Sequence, residues 1–295
     1  MKKPNFFIIG APKCGTTSLA TWLSDHPNIY MSPLKEPYFF CSDLNFGLIS
    51  SLEKYEELFK KANDIHIAVG EASTWYLFSQ VAVSKIEKTY PEARYIIMLR
   101  NPVEMAHSLY YFNLRRDEHI SDFKTAWKLS AERRQNRAVR SLVLEPRKLD
   151  YQKVCCLGDQ LERLFTAVPR QKVLVLLLDD IQENPRREYL KVLSFLHVPD
   201  NGRIEFPVKN QASEDRFPLF QKGLYILGRV WHPVKKQLGI VRSFGIMKPI
   251  SNLCAIPRSR PTIPIDVRQE LVDYFKKDIE KLSYLINRDL LHWLL

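Results

Sequence analysis

The sequence lacks the segments that would place a protein in or across a membrane. Its 295 residues contain no run of about 18 apolar residues, the length that a membrane-spanning helix needs. The first apolar run begins at Phe6, which leaves no room for the apolar core of a signal peptide. We therefore expect a cytoplasmic protein without a membrane span.

Cysteine and histidine are few, and they do not occur at metal-binding spacings. The five cysteines include no C-x-x-C pair, and the seven histidines include no H-x-x-x-H pair. The adjacent Cys155 and Cys156 are poorly placed to pair with each other. These absences predict reduced thiols, as is usual in the cytosol, and no metal cofactor.

Acidic residues are absent from residues 216–265, in a chain that is strongly basic overall. Lysine and arginine outnumber aspartate and glutamate by 44 to 33, and nine of the basic residues lie in this segment. Such an excess favours an anionic partner: a nucleic acid, an acidic membrane surface or a phosphorylated ligand. A merely basic surface is the alternative. We predict that 216–265 is a basic flap over a bound anion, or an insertion in the domain.

Short apolar segments alternate with helical segments along most of the chain. The pattern predicts strands and then helices in these ranges: strands 6–9, 65–70, 94–99 and 172–178; helices 16–26, 79–90, 103–116, 185–196 and one from 264. It indicates an α/β fold with a parallel sheet covered by helices on both faces. Because no repeat or low-complexity linker divides the chain, we expect one domain over 1–295, with 118–150 as a possible lid. Ligands of such sheets bind at the carboxyl ends of the strands, so the loops after Ile9, Gly70 and Leu99 are the candidate site.

The segment GAPKCGTTSL, residues 10–19, has the form of a phosphate-binding loop between a strand and a helix. Gly10 and Gly15 have the spacing of the ATPase motif G-x-x-x-x-G-K-[ST], but Thr16 stands where that motif has its lysine. Backbone N–H groups at a helix start bind anions, and Gly15 allows a close approach. The only lysine of the loop, Lys13, lies nearer its mouth, where it could neutralise the leaving oxygen of a nucleotide 5′-phosphate. An anion-binding loop without catalysis is the alternative.

A second motif, LRNPVEMAHSLYYF at residues 99–112, follows the third predicted strand. Together the two motifs resemble those of the PAPS-dependent sulfotransferases, whose donor is 3′-phosphoadenylyl sulfate (PAPS) and whose sheet is of the P-loop type. The resemblance implies that Arg100 and Ser108 hold the 3′-phosphate. It also implies that the 5′ side of the donor is held by the loop residues Lys13, Cys14, Gly15, Thr16, Thr17 and Ser18.

The resemblance extends to the acceptor side of the site. The segments HPNIYMSPLKEPYFF and GEASTWYL are similar to segments of the heparan-sulfate-type and related bacterial sulfotransferases. This implies that Glu36 is the catalytic base, and we also expect Lys35, Tyr38 and Glu71 to contact the substrate. Ala72 stands where the heparan-sulfate enzymes often have a lysine, which is a departure from their pattern of glycan contacts.

The predicted reaction is the transfer of a sulfuryl group from PAPS to a hydroxyl or nitrogen, which leaves adenosine 3′,5′-bisphosphate as the product. Glu36 would take the acceptor proton and Lys13 would stabilise the departing phosphate, with no metal. We expect a cytosolic acceptor: a small molecule, a natural-product intermediate or a soluble glycan precursor.

Two other functions stay open at this point. A P-loop kinase or NTPase is disfavoured by Thr16 in the lysine position, and only LLLDD at 176–180 offers an acidic metal site. A nucleic-acid-binding protein using residues 216–265 is disfavoured because the sequence contains no recognised nucleic-acid-binding motif, so we expect no nucleic-acid partner.

Overall fold

A five-stranded sheet forms the centre of the computed structural model, which describes residues 2–47, 49–135, 137–140, 143–209, 213–215, 223, 255–257 and 261–295. Its strands are β1 (Phe6–Gly10), β2 (Ile29–Met31), β3 (Ala68–Ala72), β4 (Arg94–Leu99) and β5 (Val173–Leu177). Their order is β2-β3-β1-β4-β5, and each adjacent pair is parallel. Every residue of the central β1 is buried, which explains its uninterrupted apolar sequence.

Helices connect and flank the strands, which confirms the predicted α/β fold. They are α1 (Thr16–Ser24), α2 (Leu52–Glu56), α3 (Ala82–Thr89), α4 (Pro102–Leu114), α5 (Phe123–Lys128), α6 (Ser130–Arg134), α7 (Tyr151–Cys155), α8 (Leu157–Ala167), α9 (Leu178–Glu183), α10 (Pro185–Phe195) and α11 (Ile265–Ile286). Short 3₁₀ turns lie at Glu57–Phe59, Pro146–Leu149, Arg170–Lys172 and Leu291–Leu294, and a small antiparallel pair joins β6 (Ser213–Asp215) to β7 (Ala255–Pro257). Within the described ranges, no helix is long and apolar enough to cross a membrane.

The prediction of the second strand is wrong in its position. The apolar run from Ile65 suggested a strand that ends at Gly70, but β3 begins at Ala68 and ends at Ala72. Ile65 and Ile67 are 61% and 44% exposed, so these two apolar side chains do not mark a buried strand. The loop at the carboxyl end of β3 therefore begins two residues later than expected. The three-residue β2 was not predicted, because it is too short to show a pattern.

Residues 118–150 contain a buried ion pair in the part that the structure describes. Arg133 donates two hydrogen bonds to Glu118, at 2.7 and 2.8 Å, and both side chains are fully buried. Arg133 also donates to the carbonyl oxygens of Ala126 and Leu149, at 3.4 and 3.2 Å. A buried pair of this kind is costly to break, so these residues are packed as part of the domain. The role of 118–150 as a lid stays a prediction.

The predictions for the cysteines and for residues 216–265 concern residues that the structure describes only in part. Cys14, Cys41, Cys155 and Cys156 are free thiols, as predicted, whereas Cys254 lies outside the described residues. The segment 216–265 also lies outside them, apart from 223, 255–257 and 261–265. Its prediction as a basic flap or insertion, like the single domain over 1–295, stays a prediction.

Candidate active site

The loop between β1 and α1 has the shape of an anion-binding loop. Lys13 and Gly15 both have left-handed backbone conformations, with φ of 67° and 87°. A Cβ atom on Gly15 would also lie 3.0 and 3.1 Å from the side chains of Leu178 and Met98, which would have to shift, so glycine is favoured at this position. Gly15 is the N-cap residue of α1, and no side chain among the described residues makes a cap hydrogen bond to this helix. The first N–H groups of α1 are therefore suited to an anionic ligand.

Lys13 and Cys14 differ in where their side chains lie. The Lys13 ammonium lies 4.6 Å from the centroid of the Phe112 ring, which α4 carries. Cys14 is fully buried, with Sγ 3.8 Å from the sulfur of Met105. Burial raises the pKa of the Cys14 thiol to about 12, so it stays protonated. Cys14 was predicted to contact the nucleotide donor. With its side chain buried, only its backbone could make that contact.

Thr17 and Ser18, both predicted to bind the donor, make different contacts. Thr17 Oγ1 accepts a hydrogen bond of 2.6 Å from Lys35 Nζ, which comes from the predicted acceptor segment. Ser18 is buried, and its Oγ accepts a hydrogen bond of 3.0 Å from the backbone N–H of Lys209. Thr17 thus faces the predicted acceptor side, and Ser18 holds the segment before residue 210 against α1.

The acceptor segment is held in an unusual conformation by the end of β3. Glu36 and Tyr38 have positive φ values of 59° and 51°, which non-glycine residues adopt mainly where the surroundings enforce it. The Glu36 N–H donates to the carbonyl oxygen of Ala72 at 3.0 Å, and the Tyr38 N–H donates to Ser73 Oγ at 3.2 Å. Thr74 Oγ1 donates to Glu36 Oε1 at 3.0 Å. The backbone of Glu36 is therefore held by Ala72, and its carboxylate is held by Thr74.

Tyr38 and Glu36 also interact electrostatically. Burial, together with the negative charge of Glu36, raises the pKa of the Tyr38 hydroxyl well above its ordinary value. The hydroxyl therefore stays protonated and is a hydrogen-bond donor beside the carboxylate.

Glu71 lies beneath the acceptor segment. Its side chain is 0% exposed and accepts hydrogen bonds from Ser73 Oγ at 2.7 Å and from the Tyr55 hydroxyl at 3.2 Å. Burial raises the pKa of Glu71 to about 7, and the hydrogen bonds from Ser73, Tyr76 and Tyr55 oppose this rise. Such burial does not support the predicted contact of Glu71 with the substrate. Its visible role is to hold Ser73, which in turn holds the backbone at Tyr38.

Arg100 lies at the end of β4, the strand adjacent to β1 in the sheet. Its guanidinium is 3.7 Å from the Glu104 carboxylate. The phosphate loop is joined to this strand, because the Ala11 N–H donates to the carbonyl oxygen of Met98 at 2.8 Å. The structure therefore brings the two predicted phosphate-binding motifs to the same edge of the sheet. Ser108 lies on α4 and is buried, and its contact with a 3′-phosphate stays a prediction.

Three residues at the site were missed by the sequence analysis. Ser73 and Thr74 directly follow β3, and the rule that ligands gather at strand ends would have found them if the strand had been placed correctly. Phe112 gave no signal, because an aromatic residue in a helix is usually a core residue.

Acidic side chains that might have bound a metal are engaged by protein groups. Asp179 and Asp180, from the LLLDD segment, accept hydrogen bonds from Trp293 Nε1 at 2.6 Å and from Arg288 at 2.9 and 3.0 Å. These contacts do not favour the kinase alternative. A second group, Cys156, Asp159 and Asp278, has ligand atoms within 4.8 Å of one another. Asp278 there accepts from the N–H groups of residues 158 and 159, which caps α8. The absence of a metal cofactor stays a prediction.

Comparisons with known proteins agree with this geometry. The family described as "Sulfotransferase domain" matches residues 3–214. Carbohydrate sulfotransferase 15 from Mus musculus is 27% identical over 305 residues, covering 82% of this chain and 51% of that protein. The human bifunctional heparan sulfate N-deacetylase/N-sulfotransferase 2 is 25% identical over 296 residues, covering 97% of this chain and 30% of that protein. The chain thus spans about half the length, or less, of these relatives.

A solved structure resembles the whole fold. The sulfotransferase from Alicyclobacillus acidocaldarius is 27% identical, has a TM-score of 0.72, and is matched over 99% of both chains. The family match covers both predicted phosphate-binding motifs and the acceptor segment. These findings confirm the resemblance that the motifs suggested, and the chain belongs to the sulfotransferase family.

Proposed function

We propose that this protein transfers a sulfuryl group from PAPS to a hydroxyl or nitrogen of an acceptor. One observation carries the proposal: Lys35 Nζ lies 2.6 Å from Thr17 Oγ1 and 3.8 Å from Glu36 Oε1. A single side chain thus joins the phosphate loop to the predicted base. Group transfer requires this proximity, because the donor and the proton-accepting carboxylate must meet at one acceptor atom.

The residues at the sheet edge fit the nucleotide donor. The start of α1, where no described side chain makes a cap hydrogen bond, presents backbone N–H groups to a 5′-phosphate, and the left-handed backbone of Gly15 shapes the loop around it. Arg100 supplies a charged donor for the 3′-phosphate, with Ser108 as a further contact in our proposal. When bound, PAPS supplies the sulfuryl group, whose bond to the 5′-phosphate breaks as its bond to the acceptor forms.

The side chains around the predicted reaction centre have different roles in the proposed reaction. Glu36 accepts the proton of the acceptor, and the Thr74 hydroxyl holds the carboxylate in one orientation. Lys13 places its charge at the mouth of the loop, where negative charge develops on the departing phosphate. Lys35, between Thr17 and Glu36, is placed to contact the transferring group. Tyr38 remains protonated beside Glu36, and in our proposal its side chain contacts the acceptor.

The acceptor belongs, in this proposal, to the predicted classes: a small molecule, a natural-product intermediate or a glycan. Similarity to a carbohydrate sulfotransferase supports the glycan class. Ala72, which replaces a lysine that heparan-sulfate enzymes often have, supports a pattern of contacts different from theirs. A cytoplasmic location and the absence of a nucleic-acid partner are part of the same proposal.

Isothermal titration tests the donor. We expect adenosine 3′,5′-bisphosphate to bind tightly in the presence of a magnesium chelator. ATP binding that requires magnesium, without binding of the bisphosphate, would overturn the proposal in favour of a kinase. Salt-sensitive binding of DNA alone would support the nucleic-acid alternative. The acceptor class is then found by adding PAPS to a cell extract and searching by mass spectrometry for molecules that gain one sulfuryl group.

A further inference from the structure

The turn Leu291–Leu294 links the carboxyl ends of β4 and β5, beside the predicted 3′-phosphate site. Trp293 in this turn is 2% exposed. Its carbonyl oxygen accepts a hydrogen bond of 3.1 Å from Asn101 Nδ2, and its Nε1 donates one of 2.6 Å to Asp179 Oδ2. Asn101 follows β4 by two residues and Asp179 lies in the first turn of α9, directly after β5. One tryptophan therefore holds two strand ends at the ligand-binding edge.

The side-chain amide of Asn101 makes hydrogen bonds through both its oxygen and its nitrogen. Because Asn101 directly follows Arg100 in the chain, these bonds also affect the position of Arg100. Its Oδ1 caps α4 by accepting from the Val103 N–H at 2.9 Å, while its Nδ2 donates to Trp293. The amide is buried, so loss of the Trp293 contact would leave a donor unpaired inside the protein. The backbone of Asn101 directly follows that of Arg100, and a shift in one changes the direction of the other.

The same part of the chain also holds the carboxylate beside Arg100. Arg268, in the first turns of α11, lies 2.9 Å from Glu104, whose other oxygen is 3.7 Å from Arg100. Arg288 fixes the approach to the turn by two hydrogen bonds to Asp180. Residues 265–294 thus constrain Arg100 both through its ion-pair partner and through the following residue.

We propose that Trp293 is a positioning residue for Arg100, and that it sets the preference for a nucleotide that carries a 3′-phosphate. The inference rests on the proposed function, because it takes Arg100 as the contact for that phosphate. Trp293 acts through Asn101 and the end of β5. A side chain that merely stabilised the fold would affect nucleotides with and without a 3′-phosphate equally.

Two variants weaken the link at different points, and a third is a matched control. Trp293→Phe keeps an aromatic side chain and removes the indole N–H that donates to Asp179. Asn101→Ser keeps an oxygen for the helix cap and removes the donor to Trp293. The control is Trp127→Phe, because Trp127 is 1% exposed and its Nε1 also donates to a carboxylate, that of Glu270, at 3.1 Å. It removes the same kind of bond, here to the helix α11 that also carries Arg268, and leaves the contacts of Asn101 and Asp179 in place.

The measurement is the ratio of the dissociation constants of adenosine 5′-phosphate and adenosine 3′,5′-bisphosphate. Arg100→Ala should lower this ratio by about 10- to 150-fold, the effect of one hydrogen bond to a charged group. Trp293→Phe and Asn101→Ser should lower it by about 3- to 10-fold, as expected for residues in one hydrogen-bond network. Trp127→Phe should lower the thermal stability and leave the ratio unchanged.

The double variant Trp293→Phe/Arg100→Ala separates the possible results. If Trp293 acts through Arg100, the double variant should have the ratio of Arg100→Ala alone. Independent, multiplying effects would overturn the inference, and so would equal losses of affinity for both nucleotides in Trp293→Phe and Asn101→Ser. A normal ratio in Arg100→Ala would instead reject the 3′-phosphate assignment in the proposed function, and the inference with it.

Discussion

The ammonium group of Lys13 lies 4.6 Å from the centroid of the Phe112 ring, and the guanidinium of Arg116 lies 3.9 Å from the same centroid. Two cations thus contact one aromatic ring at the mouth of the phosphate loop. A ring attracts cations through its negative face, so Phe112 helps to keep the long Lys13 side chain in place. The helix that carries the second phosphate-binding motif therefore also holds a side chain of the first.

The Lys13→Ala variant tests whether this lysine stabilises the leaving group. We expect kcat to fall by about 10²- to 10³-fold, the usual effect of losing one group that stabilises developing charge. The affinity for adenosine 3′,5′-bisphosphate should fall much less, because the N–H groups of the loop are unchanged. Turnover close to that of the unaltered enzyme would show that another group neutralises the leaving phosphate.

The Phe112→Leu variant tests the contact between the ring and Lys13. Loss of an exposed cation–π contact costs about 0.5–1 kcal/mol, so kcat should fall by about 2- to 5-fold. A matched control is Phe165→Leu, since the Arg170 guanidinium lies 4.0 Å from that ring in another part of the fold. The control should have an unchanged kcat. Equal activity of both variants would mean that Phe112 does not position Lys13.

The Glu71→Gln variant should change how the stability depends on pH. Burial raises the pKa of Glu71 to about 7 from an ordinary value of 4.5, so the folded state retains a proton that the unfolded state loses in this interval. The free energy of unfolding should therefore decrease as the pH rises from 4.5 to about 7, by up to about 3 kcal/mol from this residue. Above that pH both states are ionised and the contribution is constant.

Chemical unfolding of both proteins between pH 4.5 and 8 measures this contribution. Glutamine carries no titrating proton, so the unaltered protein should lose stability relative to Glu71→Gln as the pH rises. The difference between the two curves isolates Glu71 from the other carboxylates. Parallel curves would show that Glu71 ionises at its ordinary pKa in the folded protein.

Much of the fold and of the donor side could be predicted from the sequence, for physical reasons. Strands buried on both faces, such as β1 and β4, show as continuous apolar runs, and both were placed within one residue. The phosphate loop is recognisable because its function depends on glycine and on a few neighbouring side chains at fixed spacing. Arg100 follows β4 directly, so its place at the sheet edge follows from the topology.

The network around Glu36 could not be predicted in the same way. It depends on hydrogen bonds between residues about 38 positions apart, such as that from Thr74 to Glu36. Local sequence carries no signal for such a pair, nor for the positive φ of Glu36 and Tyr38. The contact of Trp293 with Asn101 joins residues still farther apart, and it becomes visible only once α11 has packed on α4.

The Glu36→Gln variant tests the proposed base, and Thr74→Val tests the group that orients it. Glutamine keeps the shape of the side chain but accepts no proton, so kcat should fall by about 10²- to 10⁴-fold, the range typical of general-base catalysis. Valine in place of Thr74 removes the hydrogen bond of 3.0 Å to Oε1, together with the side-chain hydrogen bond between Thr74 and Tyr38. The carboxylate remains but is less well held, and we expect a smaller loss of about 3- to 30-fold. Both variants should bind adenosine 3′,5′-bisphosphate normally, because neither change touches the phosphate loop. An active Glu36→Gln variant would show that the base is another residue, and weaker nucleotide binding in either variant would place Glu36 or Thr74 on the donor side instead.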